Sequence, residues 1–568
     1  MRDMDQFSPA GESGAAEGIA AGEGEHDLVF AHLDETSEVN EAPGTDGTGL
    51  AAGEGAGADG GAGAAAGAAA RHTGVGQAWA ALGGDPALLA RVSRERRPEP
   101  LPSALPVREL AASTVAACSL AAAEFSCVRA RSALLPPVHV DDGAVGAAFH
   151  SDRLVRLDGR APVTFAPLSR FWRTADGWMR THANYPHHRA RLLATLGITD
   201  TGPAGDEAAA ERLAAEVAGR RSGEIEEAVC AEGGLAVAVR TPAQWAAHPQ
   251  SAAVAVAPLV ATGRLDTAAP LALEGPPGPG GLQGLRVLDL TRVLAGPVAT
   301  RTLALLGADV LRVDAPERPE FLDTHADTDL GKRSALLDLS SRAGQATFEE
   351  LLSCAHMVVT GYRPGALDRF GLAPESLADR RPGLVVGQLS AWGTSGPWQR
   401  RRGFDSLVQA ATGIGVIERD ASARRFDGVN GSVGTDTPPG ALPAQALDHG
   451  TGYLLAAALL RALTEQRTGT AGSRLVRLSL ARTAHWLLHD LPREPDGTPR
   501  EGQQAGREGE FDPAPWLTEA DSPLGRLRYV LPAVGFGPTG SGVEDGVRSP
   551  ADWSRPTGLV GGDDAVWA

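Results

Sequence analysis

Between residues 285 and 390, short apolar stretches recur at regular intervals and are separated by stretches of helical periodicity. The apolar stretches are LRVLDL (285–290), ADVLRVD (308–314), SALLDL (334–339), HMVVTGY (356–362) and GLVVGQLS (383–390). Strands that are apolar on both faces and alternate with helices are typical of a parallel sheet covered by helices on both sides. We therefore predict an α/β fold with a Rossmann-like parallel sheet over 285–490, which binds ligands at the carboxyl ends of its strands.

The pattern elsewhere predicts further units. Residues 105–131 have the alanine content and spacing of a helix, and 165–265 alternate between short helices and strands, as in a smaller α/β domain. A Pro/Gly-rich stretch over 266–284 predicts a linker, and 491–568 predicts a largely irregular segment that returns to the large domain. Residues 1–75 are rich in Gly, Ala and acids, which predicts a disordered tail.

One segment is echoed later in the chain. LPVRELAASTVAACSLAAAEF (105–125) aligns with LPAQALDHGTGYLLAAALLRA (442–462) at a constant offset of 337 residues, and Ala111 then corresponds to Asp448. The echo has two explanations, a degenerate duplication or the chance likeness of alanine-rich helices. On the first, 76–164 is a degenerate helical half-copy of the large domain.

Charge and cysteine content exclude several classes of function. Of the formal net charge of −18, the first 75 residues carry 14 acids against two arginines, so the remainder is only mildly acidic. This balance disfavours nucleic-acid binding but permits a local basic pocket for a phosphorylated ligand. The apolar runs are too short to predict a membrane span, and the N-terminus has no signal-peptide pattern. Four widely spaced cysteines form no disulfide framework, redox motif or metal motif, so we expect a reduced, cytoplasmic protein.

The turn after the first predicted strand is the first place to look for a ligand. It reads TRVLAGPVATRTLALLGADV and has only Gly296 where a dinucleotide-binding turn needs three glycines, so a nicotinamide dehydrogenase is disfavoured. Pro297 suits the first turn of a helix, whose N-terminus is able to face an anion.

Several motifs, in the same order, resemble the class III CoA-transferase family, the group of formyl-CoA transferase, carnitine CoA-transferase and α-methylacyl-CoA racemase. The matching strings are LQGLRVLDLTRVLAGP (282–297), GADVLRVDAP (307–316), GKRSALLDL (331–339), YRPGALDRFGL (362–372), the block 388–413 and ALDHGTG (446–452). Segments 173–197 and 233–250 resemble the family's small domain. In this chain they precede the first strand, whereas in the family they follow the catalytic segment, so the domain order is rearranged or partly duplicated.

The resemblance implies that Asp448 is the nucleophile of an acyl-CoA:carboxylate CoA-transferase. It would attack an acyl-CoA thioester and then carry CoA as an aspartyl thioester, so acyl-CoA and a carboxylic acid are substrates and no tightly bound cofactor is implied. Family members usually form interlocked dimers, which allows a homodimer here. From spacing alone Asp448 has another interpretation, because aspartate before a helix is a preferred N-cap and has no need of a catalytic role. The positive end of the helix would favour its ionised form.

The resemblance also assigns contacts with CoA. One loop would meet the thiol end and the adenine side, three basic residues would lie near the phosphates or ribose, and one aromatic residue would lie near the adenine. These are, respectively, Arg292, Val293, Leu294 and Ala295; Lys332, Arg333 and Arg369; and Tyr362. Lys332 is the single lysine in the chain, against 51 arginines, which points to a role for a compact ammonium group.

Three other hypotheses stay open or are disfavoured. A racemase or isomerase of the same fold would carry His in a Gly-His-Asp triplet, and this chain has Phe404 there, which cannot transfer a proton. A catalytically inactive CoA-binding or scaffold protein is an alternative of a different class, favoured by the rearranged order and by Ala111. His182, His187 and His188 lack accompanying Cys or carboxylate ligands, so no metal site is predicted.

Overall fold

The computed structural model describes residues 73–97, 100–427, 436–493, 511–537 and 547–568. The tail predicted over 1–75 lies outside the described residues except for 73–75. The first described elements are α1 (Gly74–Ala81), β1 (Val92–Glu95), α2 (Val107–Ala130), β2 (Val138–Asp141), α3 (Asp142–Ala148), α4 (Ser151–Leu154) and β3 (Arg156–Leu157).

A small α/β unit follows, as the pattern predicts. Its elements are β4 (Phe171–Thr174), β5 (Gly177–Thr181), α5 (Pro186–Thr195), α6 (Asp206–Ala218), α7 (Ser222–Ala231) and β6 (Ala236–Ala238). The three strands form an antiparallel sheet in the order β4-β5-β6. Its own buried core includes Trp172, Met179, Leu192 and Leu213, so this unit packs around a separate apolar cluster.

The next elements lead into the large sheet and form most of the remaining chain. They are α8 (Pro242–Ala246), α9 (Pro249–Ala255), β7 (Ala261–Arg264), β8 (Arg286–Leu290), α10 (Ala295–Leu305), β9 (Asp309–Asp314), α11 (Leu322–Thr328), β10 (Arg333–Leu336), α12 (Arg342–Cys354), β11 (Met357–Thr360), α13 (Pro374–Arg380), β12 (Val385–Ser390), α14 (Asp405–Thr412), α15 (Ile414–Asp427), α16 (Ala446–Thr468), β13 (Arg474–Ser479) and α17 (Leu480–His485). The segment 266–284, predicted as a linker, holds no helix or strand.

The large sheet has seven strands in the order β10-β9-β8-β11-β12-β13-β7. The six strands from β10 to β13 are parallel, and they include all five predicted from the apolar pattern. The mixed α/β prediction is therefore confirmed. Strand β7 pairs antiparallel with β13 at the edge, so the small-domain boundary predicted at 265 is wrong, because residues 261–264 belong to the large sheet.

The C-terminal segment is more regular than predicted. Strands β14 (Leu517–Ser522) and β15 (Gly525–Val530) form an antiparallel hairpin, and β15 also pairs with β3 from the first part of the chain. Its apolar side chains Leu527 and Tyr529 pack with Leu157 in a small cluster. The alternation of apolar and polar positions in GRLRYV is what permits this half-buried strand.

Helices α2 and α16 pack against each other in the core and run parallel. The side chain of Leu110 lies beside Gly450 near the start of both helices, and Glu124 forms an ion pair with Arg461 toward their ends. Among the described residues α2 is the one helix long and apolar enough to cross a membrane, by length and composition, and 89% of its most apolar window is buried inside the protein.

Candidate active site

A cleft of about 700 Å³ opens at the start of α16, and Asp448 lies on its floor. One wall comes from the loop after β8, with Val293 and Leu294. The facing wall comes from the segment after β3 and the end of β5, with Phe165 and His182. The small α/β unit therefore lies directly against Asp448, despite preceding the large sheet in the sequence. We call this the Asp448 cleft.

The N-terminus of α16 is capped by Asp405, which lies at the start of α14. One carboxylate oxygen of Asp405 accepts the backbone N–H groups of Leu447 at 2.9 Å and Asp448 at 3.0 Å. The other accepts a bond from the side-chain amide of Gln409. The carboxylate of Asp448 is thus not used as the helix cap, so the capping interpretation of this residue is wrong, and its side chain lines the cleft.

Burial and neighbouring acids raise the pKa of Asp448 well above its usual range. Burial is the largest cause, and the charges of Asp405 and Asp152 add to it. Burial also raises the pKa of Asp405 to about 6, although Gln409 and the backbone N–H groups of α16 act in the opposite direction. Burial and the neighbouring acids thus outweigh the lowering of the pKa expected from the positive end of the helix. Asp448 holds its proton more tightly than an exposed aspartate does.

His449 follows Asp448 but its ring lies on another side of the helix. The ring is fully buried, stacks on Phe149 at 5.2 Å between centroids, and places Nε2 3.5 Å from a carboxylate oxygen of Asp152. Burial opposes ionisation of Asp152, but the hydrogen bond and charge of His449 lower its pKa overall. The charge of His449 thus acts on Asp152 and also on Asp405, the two acids that raise the pKa of Asp448.

The loop after β8 is held in a strained conformation by Glu320. Val293 has φ of 69°, a left-handed value that is rare for a β-branched residue. Its N–H donates to one oxygen of Glu320 at 2.9 Å, and the hydroxyl of Tyr185 donates to the other at 2.7 Å. The Arg292 guanidinium lies 4.9 Å from the centre of the Tyr185 ring. This network joins the loop to the small unit, and strain of this kind is common at functional sites.

A second cavity of about 410 Å³ lies at the carboxyl ends of β11, β12 and β13. Its lining includes Tyr362, one of the predicted CoA contacts, together with Arg363, Gln388 and Arg477, which sequence reasoning missed. We call it the Tyr362 cavity. Parallel strands gather the residues that follow them at one edge, so the arginines come from segments more than a hundred residues apart.

The predicted contacts divide into three groups. Val293 and Leu294 line the Asp448 cleft and Tyr362 lines the second cavity. Arg292 and Ala295 flank the cleft loop, where Arg292 also donates to the backbone oxygens of residues 318 and 319. Arg333 and Arg369 line neither cavity, because Arg333 pairs with Asp309 and Arg369 lies over the Phe370 ring.

The prediction for Lys332 is wrong. Its ammonium Nζ lies 2.9 Å from a carboxylate oxygen of Asp289 in strand β8, and both side chains are completely buried. A buried ammonium needs such a partner, because an unpaired charge there is very costly. The position of this lysine in a family motif marked a residue of the core, not a contact with a phosphate.

Sequence reasoning also missed the roles of three residues near Asp448. The sequence motifs point to neither Asp152 nor Asp405 as a neighbour of Asp448, and they present His182 only as a candidate metal ligand. His182 stacks on Phe404 with ring centroids 3.8 Å apart, and burial, followed by the charge of Arg180, lowers its pKa to about 3. The described residues contain no group of three or more His, Cys, Asp or Glu side chains placed to hold a metal ion.

Comparisons with known proteins agree with these motifs. The family model described as CoA-transferase family III matches residues 282–518. Residues 282–518, less than half of the chain, thus resemble CoA-transferase family III. The family resemblance drawn from the motifs is therefore confirmed.

Individual relatives match over a part of their length. A probable fatty acyl-CoA transferase of Mycobacterium tuberculosis is 30% identical over 239 residues, which is 39% of this chain and 56% of the relative. A formyl-CoA:oxalate CoA-transferase of Streptomyces avermitilis is 31% identical, over 40% of this chain and 58% of the relative. The succinyl-CoA:glutarate CoA-transferase of Mus musculus is 32% identical, over 23% and 33%. The chain thus spans about half the length, or less, of these curated relatives.

A solved structure of the Mycobacterium tuberculosis protein, in an orthorhombic crystal form, is 29% identical in sequence to this chain. It matches 36% of this chain and 55% of its own, with a TM-score of 0.31.

Proposed function

We propose that the protein is an acyl-CoA:carboxylate CoA-transferase in which Asp448 is the nucleophile. The observation that carries this proposal is that two aspartates lie at the start of α16 and only one of them caps the helix. Asp405 takes both backbone N–H groups of the helix end, and Asp448 is left with its carboxylate toward a cleft. A helix that needed only a cap would not require a second buried acid at this place.

The reaction has four balanced steps. The Asp448 carboxylate attacks the acyl carbonyl, the carbon–sulfur bond breaks, and a mixed anhydride and CoA thiolate result. The thiolate attacks the aspartyl carbonyl and releases the donor acid, leaving an aspartyl-CoA thioester. The acceptor carboxylate then attacks that thioester to give a second anhydride and thiolate. The thiolate finally attacks the acceptor carbonyl, which releases the new acyl-CoA and regenerates Asp448.

The surroundings of Asp448 set the condition under which the first step occurs. The carboxyl group must lose its proton to attack, and burial with two acidic neighbours opposes that loss. Once ionised in a cleft that is poor in water, a carboxylate of raised pKa is a stronger nucleophile than an exposed one. Activity should therefore rise with pH through an inflection above the usual range of aspartate.

The Tyr362 cavity suits the nucleotide end of CoA in this proposal. Arg363 and Arg477 in its lining supply guanidinium groups for phosphates, and Tyr362 offers a ring for the adenine. Arg292 interacts electrostatically with Tyr362 on one side and lies over Tyr185 on the other. In this proposal the pantetheine arm follows the loop after β8 from the Tyr362 cavity toward Asp448. CoA acts as a substrate, and no resident cofactor is required.

The test compares two isosteric changes of aspartate to asparagine. Asp448→Asn should abolish CoA transfer between an acyl-CoA and a carboxylic acid, because the amide cannot form the anhydride. The matched control is Asp521→Asn, at a side chain that is 90% exposed on the C-terminal hairpin, and it should retain full activity. Equal rates for wild type and Asp448→Asn would reject the mechanism, and an inactive wild type would favour the CoA-binding or scaffold alternative.

A racemase or isomerase is a second candidate, favoured by one observation. Phe404 occupies the place of the expected histidine, but the imidazole of His182 stacks directly on it and lines the same cleft as Asp448. The small unit thereby supplies an imidazole close to this position. Burial lowers the pKa of His182, which keeps its ring neutral. Exchange of the α-proton of an acyl-CoA in deuterated water, lost in His182→Phe, would support this candidate over CoA transfer.

A further inference from the structure

The walls of the Asp448 cleft combine apolar, acidic and uncharged polar side chains, the last including Asn184 and Ser406. The apolar part comes from the first part of the chain and from the large-sheet region, and it includes Val163, Phe165, Val293, Leu294, Phe321 and Phe404. Among the described residues, the side chains that line the cleft include five aspartates and no arginine or lysine. An acyl group that enters the cleft thus meets rings, methyl groups and neutral hydrogen-bonding groups, and the described lining offers it no arginine or lysine.

Three arginines lie around the cleft without being among its lining residues. The guanidinium of Arg180 is 4.9 Å from the centre of the Phe165 ring, on which it stacks, and the other two are paired with acids. Arg160 is paired with Asp323, and Arg301 lies 2.8 Å from Asp327, so each of these arginines neutralises an acid of the cleft wall. Asp152 interacts with His449, and Asp405 accepts two backbone N–H groups. The acids of the wall other than Asp448 therefore have partners of their own and do not form an open cation-binding cage.

We propose that this site accepts acyl groups that are neutral and apolar and rejects those that carry a second carboxylate. The inference rests on the proposed CoA transfer and names its substrate class. A dicarboxylic acyl group would place its free carboxylate beside Asp448 and four further aspartates, in a cleft whose described lining holds no arginine or lysine. A buried charge without an opposite charge beside it is strongly disfavoured. An alkyl or aryl tail instead gains by leaving water.

The experiment measures the transfer of CoA from hexanoyl-CoA and from succinyl-CoA by the purified full chain. We expect kcat/KM for hexanoyl-CoA to exceed that for succinyl-CoA by at least about 100-fold. Equal or faster transfer from succinyl-CoA would overturn the inference and leave the proposed function intact. Equal or faster transfer from 4-(trimethylammonio)butanoyl-CoA than from hexanoyl-CoA would also overturn it, since the cleft would then favour a cation. Failure with every donor would instead reject the proposed function.

A pair of variants makes the test independent of overall folding. Val163 lines the cleft and its side chain is 71% exposed, so Val163→Arg adds a cation at the mouth with little effect on the core. It should raise the succinyl-CoA rate and lower the hexanoyl-CoA rate. The matched control is Val256→Arg, at an 86% exposed valine that is not among the cleft residues, and it should change neither. An unchanged preference in Val163→Arg would contradict the inference.

A separate observation concerns the first part of the chain. Three consecutive elements of the first part have counterparts about 337 residues later, the distance that separates the echoed sequences. Helix α2 corresponds to α16, strand β2 to β13 and helix α3 to α17. Three consecutive elements with one displacement are not expected from the chance likeness of two alanine-rich helices. The repeat at this offset is therefore present in the order of helices and strands as well as in the sequence.

Two counterpart residues contact each other across the helix pair. Glu124 and Arg461 are 337 positions apart, and their side chains form an ion pair at 2.5 Å. In a twofold arrangement, the residues next to the axis meet their own counterparts. The parallel packing of α2 on α16 is consistent with an axis along the two helices.

We also infer that the chain is a pseudo-dimer, in which a degenerate first copy occupies the place of a second subunit. The first copy has Ala111 where the second has Asp448, so it supplies no nucleophile. It contributes Asp152 to the Asp448 cleft and packs Leu110 against Gly450 of α16. One chain then forms one complete site and needs no partner.

Light scattering of the full chain tests this inference. We expect a monomer of 58.5 kDa at micromolar concentration, and a stable dimer would overturn the inference. The charge reversals Glu124→Arg and Arg461→Glu test the counterpart contact. Each alone should lower the melting temperature, and the double variant should recover most of the loss. Single reversals without effect would contradict the contact.

Discussion

Replacing Asp405 by asparagine removes a negative charge beside Asp448 and keeps an oxygen that caps α16. Asparagine caps helices about as well as aspartate, so the N–H groups of Leu447 and Asp448 retain an acceptor. The amide nitrogen cannot accept the bond from Gln409, which costs on the order of 1 kcal/mol of stability. The variant should therefore fold, and its main change is electrostatic.

The charge of Asp405 is the second-largest cause of the raised pKa of Asp448, after burial. A neighbouring charge typically moves a carboxyl pKa by about one to three units, which corresponds to about 1.4–4 kcal/mol. Because ionised Asp448 is the attacking form, the acid limb of kcat/KM against pH should move to lower pH by at least about one unit.

The assay is the initial rate of CoA transfer across the acid and neutral range, at a temperature well below unfolding. The control is Asp323→Asn, another acid of the same cleft, whose charge is paired with Arg160 and is not a cause of the Asp448 shift. Its acid limb should stay in place. A limb that does not move in Asp405→Asn, or that moves to higher pH, would refute the assignment of Asp448 as the titrating nucleophile.

Three further predictions concern stability. Gly452→Ala should lower the free energy of unfolding by about 1–3 kcal/mol, since a Cβ there would lie 2.5 Å from the Ala295 carbonyl oxygen. The control is Gly223→Ala, in a helix where a Cβ would meet open space, and it should be neutral or stabilising. Denaturant titration measures both variants. Lys332→Ala should cost about 3–5 kcal/mol in the same titration, because Asp289 is left buried and unpaired; wild-type stability would show that the pair is dispensable. Asp448→Asn should stabilise the protein more at pH 8 than at pH 5. The pKa of Asp448 is raised in the folded state, so its protonated form contributes stability below the unfolded-state pKa, and this stability is lost as the pH rises through the folded-state pKa. A gain in melting temperature that is larger at pH 5 than at pH 8 would contradict this direction of the pKa shift.

The strands of the large sheet were predictable because each is buried on both faces and reads as an apolar run. MVVT in β11 is fully buried, and its position between two helical stretches is enough to place it in a parallel sheet. Strand β7 was assigned to the wrong unit, because ATGR has no such run and is held only as an edge strand by pairing with β13.

A motif predicted a residue of the candidate site correctly only where the side chain of that residue also faces the cleft. Asp448 was found from its flanking motif, but its freedom to react depends on Asp405, whose carboxylate reaches the α16 N-terminus from 42 positions away. Lys332 and Val293 both lie in matched motifs, yet one points into the core and the other into the cleft. A motif reports which residues are present, and burial and long-range contacts decide what each one does.

The most direct measurement is mass spectrometry of the peptide that contains Asp448 after the full chain has been incubated with hexanoyl-CoA. The account predicts a CoA thioester on Asp448, which hydroxylamine converts to a hydroxamate and which is absent in Asp448→Asn. An adduct on any other residue, or none at all while CoA is being transferred, would contradict it.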